Sequence, residues 1–165
     1  EEVHQAIRQF AQRSAEKLRG QDSLARAVYV FLKTNRHRPD LPQYSPSAVV
    51  ELPCPTDDSR DILLAASQAL AAIYRPRYRF MKAGVMLVDL VDASRAQLSL
   101  LDTPESQAQR ERSNRLMATL DALNHRMGRG TVTFGRASPK AAWQLRCANR
   151  TPRWTTRWDE LPRLR

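Results

Sequence analysis

The sequence predicts an α+β fold, in which an antiparallel sheet carries two helices on one face and a small α/β module follows. Segments with helix-like and strand-like patterns alternate in the order α-β-β-α-β over residues 2–91. Each of the two helical segments has a single apolar face, which favours packing side by side on one side of a sheet. The composition then changes at residues 102–112, where no aliphatic residue larger than alanine occurs.

The two helices of the first part are predicted at residues 2–19 and 59–74. Apolar residues recur at helical spacing in both segments. Gly20 is a typical residue after a helix end, and Pro76 cannot continue the second helix. Residues 57–59, Asp-Asp-Ser, offer N-cap side chains and negative charge at the start of the second helix.

Three strands are predicted around these helices. Residues 26–33 are rich in β-branched and aromatic side chains, and residues 34–46, with three prolines, form a loop. A short second strand covers 48–52 and is closed by the prolines that follow it. The third strand covers 78–91, with a bend or bulge near Gly84.

The second part begins with the polar segment 102–112, which is predicted to be a linker. A helical stripe of leucines and one methionine predicts a helix over 112–127, and residues 131–134 are predicted to form a strand. Residues 141–148 form either a strand or a short helix. The segment 151–165 carries two tryptophans and four arginines.

Charge points to a polyanionic partner. The formal net charge is +10. Residues 1–102 hold 14 basic and 12 acidic residues, and residues 103–165 hold 13 and 5, which gives net charges of +2 and +8. Nucleic acid suits this chain better than a membrane, since no long basic amphipathic helix and no spanning apolar run is present. A basic surface without a partner is the alternative.

No catalytic or metal site is predicted. Cys54 and Cys147 lie far apart without a CxxC spacing, and the three histidines are scattered. The absence of metal spacing or a signal-peptide pattern predicts a reduced, cytoplasmic setting. The aspartates of 57–61 resemble an acidic metal cluster, but capping of a helix explains them more simply.

Basic residues flank the ends of the first and third strands, where they are candidates for nucleic-acid contacts. Strict alternation along the third strand places Arg77 and Arg79 on one face, and Phe80 with Lys82 on the other. Side chains that contact phosphates hold a duplex without reading its sequence. A solvated basic loop is the alternative. The candidate residues are Lys33, Arg36, Arg75, Arg77, Arg79 and Lys82.

Seven segments carry a family resemblance. They are EKLR (16–19), FLKTN (31–35), PTDDSRDI (55–62), YRFMKAGVML (78–87), QLSLLD (97–102), GRGTV (128–132) and PRWTTRWDELP (152–162). In this order and spacing they resemble the C-terminal region of UmuC-type, Y-family translesion DNA polymerases. The resemblance implies a little-finger DNA-binding domain over 1–96, a clamp-binding peptide and linker over 97–112, and a small C-terminal domain over 113–165.

The little finger of this family is a β-α-β-β-α-β sheet with two helices on one face. The predicted order lacks only its first strand, which the family places before residue 1. The palm of the polymerase, with its metal-binding carboxylates, is expected further upstream. No cofactor is therefore expected in this chain, and magnesium only in the palm.

Residues 97–101 resemble the peptide, of the form Gln-Leu-x-Leu-Phe, by which bacterial polymerases bind the β sliding clamp. Gln97 offers an amide that both donates and accepts hydrogen bonds. Leu98, Leu100 and Leu101 are suited to an apolar cleft, although Leu101 replaces the usual phenylalanine. The alternative is an amphipathic strand end packed on the core.

Trp154 and Trp158 lie four residues apart, beside Arg157. Aromatic and guanidinium groups on one surface are typical of interface anchors. The alternative is that both indoles complete a small core. The prediction is an α/β module, mobile through the linker, with at least one tryptophan exposed for a protein partner.

These observations predict the non-catalytic C-terminal region of an error-prone translesion polymerase that acts in the SOS response. Its implied partners are damaged template-primer DNA, the β sliding clamp, a UmuD′-type dimer and the RecA filament. A free-standing, ferredoxin-like nucleic-acid-binding adaptor, such as an RNA-recognition module, is the alternative, although its aromatic signature is not visible in 26–33. An independent enzyme is disfavoured because no catalytic constellation is found.

Overall fold

The computed structural model describes residues 1–95, 104–135, 143 and 151–161. The predicted α+β fold is confirmed, with a three-stranded antiparallel sheet and two helices that pack on one of its faces. The order of elements agrees with a little-finger-like domain. The elements are α1 (Glu2–Arg19), β1 (Ser23–Thr34), β2 (Ser47–Thr56), α2 (Ser59–Ile73), β3 (Phe80–Asp92) and α3 (Pro104–Met127).

The sheet has the order β2-β1-β3, so β1 is its central strand. Side chains alternate between its two faces. Val28, Val30 and Leu32 of β1 are fully buried under the helices, in one cluster with residues such as Ile7 of α1 and Leu70 of α2. The opposite face, which we call the free face, carries the intervening residues of β1.

The ends of α1 and α2 follow from local chemistry. Gly20 follows the last residue of α1, and its N–H donates to the carbonyl of Glu16 at 3.1 Å. It keeps a right-handed backbone, whereas Asp22 adopts the left-handed conformation (φ 51°) in the turn to β1. At α2, the Asp58 carboxylate accepts the Arg60 N–H at 2.8 Å, which confirms the predicted capping.

Two strand predictions need correction. β2 runs to Thr56, beyond Pro53 and Pro55. Both prolines lie in an edge strand, between Glu51 and Thr56, where the pairing with β1 shifts, so their missing N–H donors are tolerated. Gly84 pairs regularly with Phe31, so the predicted bulge does not lie there. The irregularity falls nearer the start of β3, where the pairing with β1 shifts between Lys33 and Thr34.

The linker predicted at 102–112 is wrong for residues 104–112, because α3 begins at Pro104. Proline suits the first helical position, where the backbone N–H has no partner within the helix. The strand predicted at 131–134 is also wrong. These residues form bends that follow left-handed glycines at 128 and 130, and the Asn124 side chain exchanges two hydrogen bonds with the backbone of Val132.

Other parts of the predicted C-terminal module lie outside the described residues. Of the segment 141–148, which was predicted as a strand or a short helix, only Trp143 is described. The described residues of 104–161 include no strand. Trp143 meets Phe10 of α1 edge to face, with ring centroids 5.6 Å apart. Phe134 packs against the core cluster, and its carbonyl accepts a hydrogen bond from the Gln12 amide at 2.8 Å.

Arg19 connects α3 to the rest of the fold. Its guanidinium donates to both carboxylate oxygens of Asp121, at 2.6 and 2.8 Å, and to the carbonyl of Asp57 at 2.8 Å. It also donates to the Ser59 hydroxyl at 3.0 Å. These contacts, together with the fully buried Met117, hold α3 against the helical layer.

None of the helices in the described part of the chain is long and apolar enough to cross a membrane.

Candidate nucleic-acid interface

The predicted basic residues meet at one end of the sheet. β1 and β3 run antiparallel, so the end of β1 lies beside the start of β3. Lys33 lies at the end of β1, and Arg36 follows it in the loop. Arg75, Arg77 and Arg79 precede β3, and Lys82 lies near its start. All six side chains are exposed.

Lys33 and Lys82 are direct cross-strand partners on the free face. Like charges placed opposite each other weaken a sheet. Among the described residues, no carboxylate lies within ion-pair distance of either ammonium group. An anion bound between the two lysines would relieve this repulsion.

The arginines lie differently from the prediction. β3 begins at Phe80, so Arg77 and Arg79 lie in the preceding turn and strand alternation does not position them. Phe80 packs against the core while Lys82 is exposed. The shared face predicted for these two residues is therefore wrong, because the pairing irregularity separates them.

Tyr44 holds this turn in place. Its ring lies 4.7 Å from the stacked ring of Tyr78, and the Arg75 guanidinium carbon lies 4.7 Å from its centroid. Its hydroxyl donates to the carbonyl of Ile73 at 3.2 Å. The basic turn, residues 75–79, is thus fixed on the loop that follows β1.

Aromatic side chains occupy the centre of the free face. Tyr29 and Phe31 have ring centroids 6.0 Å apart, and the Lys33 ammonium lies 5.4 Å from the centroid of Phe31. The Phe31 ring lies over Gly84, since a Cβ at that position would approach ring carbons to 2.4 Å. Val49 and Met86, the neighbours of Tyr29 on β2 and β3, are 56% and 50% exposed.

Sequence reasoning missed Tyr29, Phe31 and Tyr44 as residues of this surface. Tyr29 and Phe31 alternate with the buried Val28, Val30 and Leu32. That period of two was the available signal. The role of Tyr44 depends on contacts between two loops, which no local pattern shows.

The acidic residues 57–61 are structural. Burial acts to raise the pKa of Asp58, but hydrogen bonds from Arg60 and Ser113 outweigh it and hold the pKa below its usual range. Burial raises the pKa of Asp57, and the nearby charge of Arg19 offsets only part of that effect. Within the described ranges, no group of three or more potential metal ligands occurs. The expectation of no cofactor stays a prediction.

Residues Gln97, Leu98, Leu100 and Leu101 lie outside the described residues. The chain leaves β3 through a 3₁₀ turn at Ala93–Arg95, which is anchored where the Ala93 N–H donates to the carbonyl of Asp22 at 2.9 Å.

The tryptophan turn, residues 151–161, presents Trp154 and Trp158 at 53% and 89% exposure. The predicted exposure of at least one tryptophan is confirmed. Arg153 binds Glu160 through its backbone N–H and its guanidinium, both at 2.6 Å, and closes the turn. Arg157 lies 3.7 Å from Asp159. Sequence reasoning missed the role of Glu160.

Two family models match different parts of the chain. A family model described as "impB/mucB/samB family C-terminal domain" matches residues 1–100. A second, described as "Domain of unknown function (DUF4113)", matches residues 114–164.

Similar full-length proteins come from enterobacteria. Protein ImpB of Salmonella typhimurium is 42% identical over 163 residues, which cover 99% of this chain and 38% of ImpB. Protein UmuC of the same species is 41% identical over 165 residues, 100% of this chain and 38% of UmuC. Protein MucB of Escherichia coli is 37% identical over 161 residues, which cover 98% of this chain and 37% of MucB. The chain thus spans little more than a third of the length of these relatives. It belongs to the impB/mucB/samB family, as a UmuC-type C-terminal region.

Proposed function

We propose that this chain is the non-catalytic C-terminal region of an error-prone translesion DNA polymerase and that it holds damaged template-primer DNA. One observation carries the proposal: the predicted basic residues converge at one end of a sheet whose other face packs on the helices. Membership of the UmuC-containing family supports the same function.

The surface is suited to phosphates. Lys33 and Lys82 face each other, and the exposed arginines of the basic turn continue the positive charge beyond the end of the sheet. Phosphate contacts carry no sequence information, as an enzyme that copies damaged templates requires. Each phosphate that a basic side chain neutralises adds about 0.9 to the slope of log affinity against log salt concentration.

Charge reversal tests this proposal. Arg77→Glu with Arg79→Glu should lower affinity for duplexes of any sequence by at least about tenfold and reduce the salt slope by about 1.8, if each arginine contacts one phosphate. Arg115→Glu with Arg126→Glu changes the net charge equally, but both residues are exposed on α3, which contacts the helical layer, so this variant is the matched control. Equal losses in both variants, or binding that is insensitive to salt, would contradict the proposal.

The same region is proposed to bind the β sliding clamp through residues 97–101. Alanine at Gln97, Leu98, Leu100 and Leu101 should abolish clamp binding, measured by surface plasmon resonance, while the thermal unfolding midpoint stays unchanged. Gln107→Ala with Leu116→Ala, on the exposed side of α3, is the matched control. Clamp binding that survives the four substitutions would place the contact elsewhere.

The tryptophan turn is proposed to bind protein partners, for which a UmuD′-type dimer and the RecA filament are the candidates. Its two described arginines lie beside carboxylates, so residues 151–161 have no net charge and little attraction for phosphate. A fully exposed indole in a closed turn is typical of an interface anchor. Trp158→Ala should weaken binding of these partners, measured by calorimetry, and leave DNA affinity unchanged. An effect on DNA affinity alone would show that the turn contacts nucleic acid instead.

A further inference from the structure

A cleft of about 700 Å³ lies between α1, α3 and the segment 129–134, on the helical side of the sheet. We call it the α1 cleft. Its volume falls within the usual range for ligand sites in proteins, which is about 300–1,000 Å³. None of the residues proposed above to contact DNA, the clamp or protein partners lines it.

α1 contributes a polar stripe to this cleft. Its members recur every three or four residues and follow one side of the helix for about 16 Å. They are Gln5, Gln9, Gln12 and Glu16. Within the described part of the chain, the amides of Gln5 and Gln9 have no hydrogen-bond partner, whereas that of Gln12 donates to the carbonyl of Phe134. A primary amide both donates and accepts hydrogen bonds, so it matches the groups of a peptide backbone.

The charge of the α1 cleft is positive and partly unpaired. Four arginines and two carboxylates line it. Each carboxylate is paired with one of these arginines, at 2.6 and 3.9 Å. The two arginines that remain are Arg8 and Arg13, and no carboxylate of the described residues lies within ion-pair distance of either. The Arg8 guanidinium lies against Gly135, next to the segment that lines the cleft.

We propose that the α1 cleft binds an extended acidic peptide of a protein partner, whose carboxylates pair with Arg8 and Arg13. Its backbone forms hydrogen bonds with Gln5 and Gln9. Arg8 and Arg13 are separated by a rise of about 7.5 Å along the helix. Acidic side chains two residues apart in an extended peptide are separated by about 6.6 Å, so one strand reaches both arginines. This inference goes beyond the proposed function, because it adds a site on the side of the sheet opposite the free face.

Apolar side chains of the other elements complete the α1 cleft, among them Leu120, Val132 and Phe134. Successive side chains of an extended peptide point in opposite directions, so apolar residues between the acidic ones would contact this part of the lining. Trp143 also lines the cleft, and its indole N–H is buried without an acceptor among the described residues. A buried donor without an acceptor is unfavourable, and a carbonyl of the bound peptide would supply one.

Charge argues against the other occupants. Residues 136–150 carry four basic side chains and no acidic one, so this segment of the chain cannot neutralise the two free arginines. A nucleic-acid strand would bring its phosphates next to the carboxylates of Glu16 and Asp121, which line the same cleft. A peptide avoids this repulsion, because it carries acidic side chains only where the free arginines lie.

The first experiment measures binding of a fluorescent eight-residue peptide of alternating glutamate and alanine to the full chain by anisotropy. Arg8→Gln with Arg13→Gln should weaken binding by about five- to thirtyfold, because each exposed ion pair contributes about two- to fivefold. Arg115→Gln with Arg126→Gln changes the net charge equally but lies outside the cleft, so it is the matched control and should change affinity by less than about twofold. The same peptide with glutamine in place of glutamate should bind at least about tenfold more weakly to the unaltered chain.

Three outcomes would overturn the proposal. The unaltered chain could fail to bind the glutamate peptide, or bind the glutamine peptide equally well. The two arginine variants could lose affinity equally, which would show that only net charge attracts the peptide. Finally, Arg8→Gln with Arg13→Gln could weaken binding of duplex DNA and leave peptide affinity unchanged, which would show that the cleft takes nucleic acid.

A second measurement uses the unaltered chain and does not depend on a variant that folds. Binding of the glutamate peptide should shift the indole N–H signal of Trp143 in a nitrogen–proton correlation spectrum, where Trp143→Phe serves only to assign that signal. The signal of the exposed Trp158 should stay in place. An unchanged Trp143 signal at saturating peptide would overturn the proposal, whether or not the Trp158 signal moves.

Discussion

The strongest test of the fold is the removal of Asp121. The Arg19 guanidinium, whose side chain is only 10% exposed, gives two of its hydrogen bonds to this carboxylate, at 2.6 and 2.8 Å. Among the described residues, Asp121→Ala leaves the guanidinium with hydrogen bonds to the Asp57 carbonyl and the Ser59 hydroxyl, and with the charge of the nearby Asp57 carboxylate.

The magnitude follows from this geometry. A hydrogen bond to a charged group contributes about 1.5–3 kcal/mol, and breaking a fully buried ion pair costs about 3–5 kcal/mol. The Asp121 side chain is 29% exposed, so water replaces part of the lost interaction. We expect a loss of about 2 kcal/mol in the free energy of unfolding, which lowers the melting temperature by about 4–8 °C for a chain of this size.

Urea unfolding of Asp121→Ala, Arg19→Ala and the double variant measures the coupling between the two residues, expected at about 1–3 kcal/mol. Hydrogen exchange over 104–127 shows whether α3 separates from α1 before global unfolding. Glu16→Ala is the control, since its ion pair with Arg129 is exposed and 3.9 Å long and should contribute less than about 0.5 kcal/mol. A coupling energy near zero, with unchanged exchange in α3, would refute the role assigned to Arg19.

Three further predictions concern the sheet, the basic turn and the start of α2. Gly84→Ala should displace the Phe31 ring, because the new methyl group would approach two ring carbons to 2.4 Å. The near-ultraviolet circular dichroism spectrum should therefore change, and an unchanged spectrum would contradict this. Tyr44→Leu should weaken binding of duplex DNA, because the basic turn loses its contacts with the Tyr44 ring. Tyr44→Phe keeps the ring that stacks on Tyr78 and should bind DNA like the unaltered chain. Equal affinities of the two variants in anisotropy titrations would contradict the role assigned to the ring. Asp58→Ala should cost about 0.5–2 kcal/mol at neutral pH as a lost cap, while Asp57→Asn should be slightly stabilising there. The pKa of Asp58 is lowered in the folded state, so its contribution to stability is present above the unfolded pKa and disappears as the pH falls through the folded pKa. The pKa of Asp57 is raised, so the stability gained by Asp57→Asn exists at neutral pH and vanishes in acid. Thermal unfolding at pH 7 and pH 3 checks both expectations.

The helices and strands of residues 1–92 could be predicted because local signals agree there with tertiary packing. α1 and α2 each have one apolar face and end at residues with clear capping or breaking chemistry. The limits of β2 could not be predicted. Pro53 and Pro55 are acceptable there because the strand lies at the sheet edge and its pairing shifts at the prolines, and neither sheet order nor register is a local property.

The first half of α3 was missed for a different reason. Its glutamines, arginines and glutamates are good helix formers, but they lack an apolar stripe, so the hydrophobic pattern favoured a linker. Tertiary contacts of Asp121 and the buried Met117 fix the second half of α3, which was predicted, and the first half extends from it as an exposed run of good helix formers. Similarly, Asn124 binds the backbone of Val132 and holds residues 131–134 in bends, although their composition favours a strand.

At the candidate site, charge alone identified the basic residues but not the faces on which they lie. Lys33 and Lys82 could be assigned to one end of the sheet because antiparallel strands bring these positions together. The separation of Phe80 from Lys82 depends on an irregularity in pairing that has no sequence signal at this point. Tyr29 and Phe31 could be predicted as strand residues, but the sequence does not show that they lie half-buried on the face that the helices leave uncovered.

The two faces of the sheet separate the proposed activities. α3, Phe134 and Trp143 all contact the helical layer, whereas the basic residues and the aromatic pair lie on the free face or at its end. If DNA binds as proposed, it therefore does not compete with the docking of α3, because the two lie on opposite sides of the sheet. Substitutions on the two sides should then have additive effects, since residues that are far apart without shared partners contribute independently.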